Sequence, residues 1–158
     1  MRGRLALVVL LSSLLAAPTA GAWTWPAAGE VLRPFVLGAD PYAAGQHRGV
    51  DVSASEGEEV LAPAGGTVSF AGTVPTSGRS LTITTPGGYA VTLTHLGSIA
   101  VAREAVVAEG EVVAYAGASG EMEWPQPYVH LGLRVAADPN GYVDPLGLLP
   151  ARATTPAP

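Results

Sequence analysis

From Trp23 onwards the chain is a succession of short apolar runs separated by glycine and proline: Val60–Ala62, Thr67–Ala71, Ser80–Thr84, Ala90–Leu96, Val106–Ala108, Val112–Ala116 and Val129–Val135. Runs of strand length at this spacing, bounded by turn residues, predict an all-β domain, a sandwich or rolled sheet. Ser80-Leu81-Thr82-Ile83-Thr84 alternates with a strict period of two, as a half-buried strand does. Pro86-Gly87-Gly88 then turns the chain into the next strand, Tyr89 to His95. No stretch carries the periodicity of an amphipathic helix. Ala105–Ala108 could form one helical turn, but Gly110 and the β-branched run after it argue against that. No internal repeat stands out.

The two ends differ from this pattern. Arg2 and Arg4 precede an apolar run of roughly 13 residues, Leu5 to Ala17, followed by Ala20-Gly21-Ala22. A basic start, a short apolar stretch and small residues at alternate positions predict a secretory signal peptide over 1–22, cleaved after Ala22. The run falls short of the roughly 20 apolar residues a membrane span needs, so an uncleaved anchor is the lesser reading and no stable span is expected after cleavage. With no cysteine after the run, a lipid anchor is not expected either. Residues 151–158 are small and rich in Pro and Thr, which predicts a disordered tail.

Composition narrows the class. A chain of 158 residues suggests one domain. The mature part, about 136 residues from Trp23, is long enough to bury roughly two thirds of its unfolded surface. The formal charge is −5, and about −7 without Arg2 and Arg4; there is no lysine. Nucleic acid is therefore an unsuitable partner, since affinity for phosphates comes from basic side chains, and an anionic membrane finds no polybasic handle. The absence of cysteine excludes disulfides and leaves histidine and carboxylate as the only candidate metal ligands.

The chain has three histidines, His47, His95 and His130. A lone histidine is most often a hydrogen-bonded structural residue, so neighbours decide. In His47-Arg48-Gly49-Val50-Asp51 an even spacing places imidazole and carboxylate on one face of an extended segment, and both groups suit zinc. Such a pair is weak evidence alone. His130 sits in Tyr128-Val129-His130-Leu131-Gly132-Leu133-Arg134, where Val129, Leu131 and Leu133 share one face and Tyr128, His130 and Gly132 the other. His95 ends its strand, with Thr92 and Thr94 expected on the opposite face.

In this order, Trp25-Pro26…Gly29, His47-Arg48-Gly49-Val50-Asp51, Gly65-Gly66-Thr67-Val68-Ser69-Phe70-Ala71-Gly72, Thr94-His95-Leu96, Tyr128-Val129-His130 and Tyr142-Val143-Asp144-Pro145-Leu146 resemble the lysostaphin/LytM-type peptidoglycan zinc metallopeptidases. The resemblance runs from about Trp23 to Pro150. It implies the duplicated hybrid motif fold, with antiparallel sheets and zinc at the floor of a groove, over a domain of residues 23–150. It assigns zinc binding to His47, Asp51 and His130, and the separate catalytic histidine to His95. The first His of the family's H-x-H motif is Tyr128 here, and Glu104 stands where the family has a turn glycine.

On that resemblance, three protein ligands leave a position for water, and zinc lowers its pKa to about 7. His95 would act as general base, an imidazole having an unperturbed pKa near 6.5. Tyr128 cannot replace a histidine base, because a phenol titrates near about 10. It can donate a hydrogen bond to the developing oxyanion, an interaction worth roughly 3 kcal/mol in known enzymes. The segment Gly120 to Pro127 is expected to form a groove rim, with Trp124 either touching substrate or packing the loop. Arg48 and Arg134 are expected only to pair with acidic neighbours.

Two functions follow. One is a secreted zinc endopeptidase acting on peptidoglycan peptides in the cell wall. The other is a catalytically inactive zinc-binding wall module that regulates or positions another hydrolase. A phosphocarrier of similar β architecture fits less well, given export and the His/Asp/His set. The scissile bond, oligomeric state and protein partners are not legible in the sequence.

Overall fold

The apolar runs become strands because β-branched and aliphatic side chains fill one face of a pleated backbone. The computed structural model describes residues 23–40 and 43–152. Among them nine strands follow one another: β1 (Val31–Arg33), β2 (Gly49–Ser53), β3 (Glu59–Leu61), β4 (Gly66–Val74), β5 (Gly78–Thr84), β6 (Tyr89–Ile99), β7 (Val106–Val107), β8 (Val112–Ala116) and β9 (Tyr128–Val135). One 3-10 turn, Pro145–Gly147, is the only helical element among the described residues. The expected signal segment, residues 1–22, and residues 153–158 of the expected tail lie outside the described residues. No helix among the described residues is long and apolar enough to cross a membrane.

The strands form one antiparallel sheet in the order β1-β2-β9-β6-β5-β4-β7, with β8 joining at β6 and carrying β3. The all-β expectation is met. Strand β6 is the trunk: Tyr89 to Thr94 pair with β9, and Leu96 to Ile99 pair with β8. Val50 and Val52 of β2, Val91 and Leu93 of β6, and Val129 and Leu131 of β9 are wholly buried in the common core. Both β1 and β2 lack a counterpart among the apolar runs. The first is only three residues of mixed polarity, and the second has its valines flanking a buried aspartate.

The two ends of the described segment are tied together. Trp25 Nε1 donates to the Pro150 carbonyl at 2.8 Å, and the Arg152 guanidinium lies 3.7 Å over the Trp25 ring. Arg152 also donates to the carbonyls of Ala28 and Ala27, at 2.6 and 3.0 Å. Arg152, in the segment expected to be a tail, is thus held by these contacts.

Glu104 adopts a left-handed conformation with φ of 71° while its amide donates to Val68 O at 2.7 Å. Holding a side chain there costs roughly 1–2 kcal/mol, and glycine gives back roughly 0.5–1 kcal/mol through its looser unfolded state. Glu104→Gly is accordingly expected to stabilise the fold by up to about 1 kcal/mol, a rise of a few degrees in Tm by calorimetry.

Candidate active site

Strands β2 and β9 pair so that Asp51 stands directly opposite His130, Gly49 opposite Gly132 and Ser53 opposite Tyr128. Opposed residues in an antiparallel pair share a face. With the valines and leucines turned to the core, that pairing puts Asp51 and His130 side by side on the other face. His47 precedes β2 and is pinned by a reciprocal backbone bridge with Val36, at 2.9 and 2.7 Å. Three side chains thereby converge. Asp51 Oδ1 lies 3.1 Å from His47 Nε2 and 2.8 Å from His130 Nδ1, and the two nitrogens are 3.2 Å apart.

The triangle fits a metal ion. Tetrahedral bonds of roughly 2.0–2.2 Å place ligand atoms about 3.3–3.6 Å apart, so the three atoms need to separate by less than about 1 Å. The surrounding groups favour this use. His47 Nδ1 lies 2.7 Å from the Pro34 carbonyl, which can only accept. In neutral His47 the proton is thus on Nδ1 and the Nε2 lone pair faces Asp51 and His130. Trp124 Nε1 donates to the other carboxylate oxygen, Asp51 Oδ2, at 3.3 Å. Neither expectation for Trp124 covers this contact, in which the rim segment reaches the carboxylate itself.

Charge is balanced inside this cluster. Burial alone would push the Asp51 carboxyl up, but hydrogen bonds from His130 and His47 outweigh it and hold the group well below the usual carboxylate range. Burial likewise pushes His47 down, yet its bonds to Asp51 and Pro34 leave it above the ordinary 6.5. Gly49 makes room for His130. A Cβ there would lie 2.6 Å from His130 Nε2 and collide with the Leu131 carbonyl, so the ring rests on the bare backbone of the neighbouring strand.

His95 reaches the same groove by a different device. Thr94 stands opposite His130 and Thr92 opposite Gly132, so both threonines lie on the groove face. Simple alternation would send His95 to the core. Instead His95 has φ of 60°, and β6 carries one extra residue against β5 between the Leu81–Leu93 and Arg79–Leu96 pairs. The bulge re-aims the side chain. Thr92, Thr94 and His95 all line the groove, which corrects the expected opposition of threonines and histidine. His95 Nδ1 lies 3.0 Å from the Ser119 carbonyl, which assigns the proton to Nδ1 in the neutral ring and leaves Nε2 as acceptor.

Tyr128 is 1% exposed and lies beneath the rim. Its ring is tilted by 34° against His95 at 4.9 Å, and its hydroxyl accepts from the Glu123 amide at 3.3 Å. Burial pushes the phenol up, so it is protonated at neutral pH. Glu123 is clamped to Arg33 at 2.6 Å. The groove beside these groups measures about 370 Å³. Of three larger hollows, those of about 540 and 830 Å³ lie around Trp25 and Trp23 and contain no histidine, while one of about 460 Å³ lies on the other side of His47, between Arg33 and Arg48.

Residue-type reasoning missed Pro34, Ser119 and Gly49. The first two act through backbone carbonyls, which leave no mark in a sequence. Gly49 had a signal: it stands two residues from Asp51, as Gly132 does from His130, on the same face of adjoining strands.

Residues 45–145 match peptidase family M23, and the chain belongs to that family. Cell division protein DipM of Caulobacter vibrioides is 31% identical over 135 residues, covering 82% of this chain and 21% of DipM. The chain thus spans about a fifth of that relative's length. The fold is shared with a zinc-containing peptidase from Vibrio cholerae, with a TM-score of 0.68 and 24% identity over 86% of this chain and 41% of that one. It is shared too with the catalytic domain of lysostaphin from Staphylococcus simulans, with a TM-score of 0.62 and 24% identity over 75% and 88% of the two chains.

Proposed function

We propose that this protein is an exported zinc endopeptidase that hydrolyses peptide bonds of peptidoglycan outside the cytoplasm. The observation that carries the reading is the convergence of His47 Nε2, Asp51 Oδ1 and His130 Nδ1 within 3.2 Å of one another, in a groove that also holds His95. His47, Asp51 and His130 would hold the zinc ion, which would supply a Lewis acid for a scissile carbonyl and for water. His95 Nε2 takes a proton from the attacking water and returns it to the leaving amine, while Ser119 keeps the ring oriented. The bond from Glu123 uses a lone pair of the Tyr128 oxygen, so the phenolic proton is left to donate to the developing oxyanion.

The position of Tyr128 under the rim favours a second reading, a zinc-binding wall module without turnover. One experiment separates them. Zinc content and release of soluble peptides from purified peptidoglycan are measured for the wild type, Asp51→Ala, His95→Ala, Tyr128→Phe and Tyr128→His. The peptidase reading expects about one zinc per chain and hydrolysis by the wild type. Tyr128→Phe is expected to keep its zinc and lose roughly a hundredfold in kcat, the effect of one oxyanion donor. Zinc without hydrolysis in the wild type, with hydrolysis gained in Tyr128→His, would establish the inactive module. A wild type that takes up no zinc would remove the site altogether.

A further inference from the structure

Resting on the peptidase reading, we infer that Arg134 is a specificity-determining residue that binds a substrate carboxylate at the end of the groove away from Tyr128. The sequence leads one to expect Arg134 to pair with an acidic neighbour, and it does not. It forms no ion pair among the described residues. Its Nη1 donates to three carbonyls, Val135 and Ala136 at 3.4 and 3.3 Å and Asp138 at 2.9 Å, which fixes the side chain. Nε and Nη2 donate to no group among the described residues, and Arg134 lines the groove. A half-exposed guanidinium, held rigid on one side with donors left on the other, has the geometry for bidentate carboxylate recognition.

The surroundings make the charge distinctive. Arg134 shares the face of His130 and Gly132, and Tyr142 bridges to it across the backbone. Of the two carboxylates at the groove, Glu123 is engaged by Arg33 and Asp51 by His47 and His130. In a chain of net charge −5, a groove end that carries the Arg134 guanidinium selects for an anionic ligand. Arg134 lies four residue steps along β9 from His130, about 13 Å at roughly 3.3–3.4 Å per residue. The recognised carboxylate therefore lies three to four residues from the bond cut. The substrate class is an acidic stem peptide of peptidoglycan, not a neutral glycine bridge.

The test varies the ligand before the protein. An N-acetylated stem pentapeptide, the same peptide with its carboxylates amidated, and N-acetyl-pentaglycine amide are titrated into the full chain by calorimetry. The metal is chelated so that no turnover consumes the peptide. The acidic peptide is expected to bind about tenfold more tightly than its amide or the glycine peptide, with the advantage shrinking at high salt. Arg134→Gln should erase the difference, and Arg134→Lys should keep part of it, charge remaining without the planar fork. Equal affinity of acid and amide for the wild type overturns the inference without altering Arg134, so loop damage in the variants cannot mask the answer. A preference that persists in Arg134→Gln also overturns it. Hydrolysis with zinc restored but no acid preference leaves the peptidase and removes this subsite; acid preference without hydrolysis leaves the subsite and removes the peptidase.

Discussion

Asp51→Ala is expected to release the metal and abolish measurable hydrolysis. Asp51 is the centre of the cluster: both histidine nitrogens meet its Oδ1, and the Trp124 indole donates to its Oδ2. Loss of partners that merely orient a metal's ligands commonly lowers affinity by about 10–100-fold, so loss of a ligand should exceed that, as zinc titration against a chromophoric chelator would measure. The metal-free fold also responds. Removing one partner of a buried ion pair typically costs about 3–5 kcal/mol, and here roughly 2–3 kcal/mol is expected because the histidines can shed their protons.

The pH dependence has a definite sign. The Asp51 carboxyl is lowered by folding, so its contribution is present above the unfolded value near 3.9 and is lost as pH falls through the folded value. His47 is raised, so its contribution is complete below about 6.5 and is lost as pH rises through its folded value. The metal-free protein should gain most from the cluster between about pH 4 and 6.5. Denaturation of Asp51→Asn across that range should be flatter at both ends. Identical pH profiles for the two proteins would contradict the cluster's part in stability.

Why some of this was legible in the sequence and some was not comes down to periodicity. Strand β8 (Val112–Ala116) matches its apolar run residue for residue, because a short run of Val, Ala and Tyr bounded by Gly110 and Gly117 fits a buried strand and little else. Asp51 and His130 could be put on the outer face of their strands by counting in twos. Their adjacency could not, because it depends on the register between chain positions some eighty residues apart. His47 needed one further step, since its ring is aimed by a carbonyl from Pro34 and not by strand alternation. The orientation of His95 was the hardest, because counting in twos fails wherever a strand holds an extra residue. The pairs Gly49–Gly132 and Asp51–His130 alternate on this face, and the His130 ring needs Gly49 beside it, where a Cβ would collide.

His95→Ala is expected to lower kcat by roughly 10²–10⁴, the usual contribution of a positioned acid–base group, while leaving the zinc content unchanged. His95 makes no hydrogen bond to His47, Asp51 or His130 among the described residues, so the metal triangle stands without it. The bulge complicates the reading, because alanine at φ of 60° carries backbone strain that a general-base argument does not concern. His95→Asn separates the two effects. Asparagine enters this region more easily than alanine, and its amide cannot accept and return a proton near neutral pH. If strain alone matters, His95→Asn should be more stable than His95→Ala and recover activity. If the imidazole is the base, the variants should differ in Tm and be equally slow. A variant of either kind that retained wild-type kcat would remove His95 from the proton path and leave the groove without a histidine base outside the metal triangle.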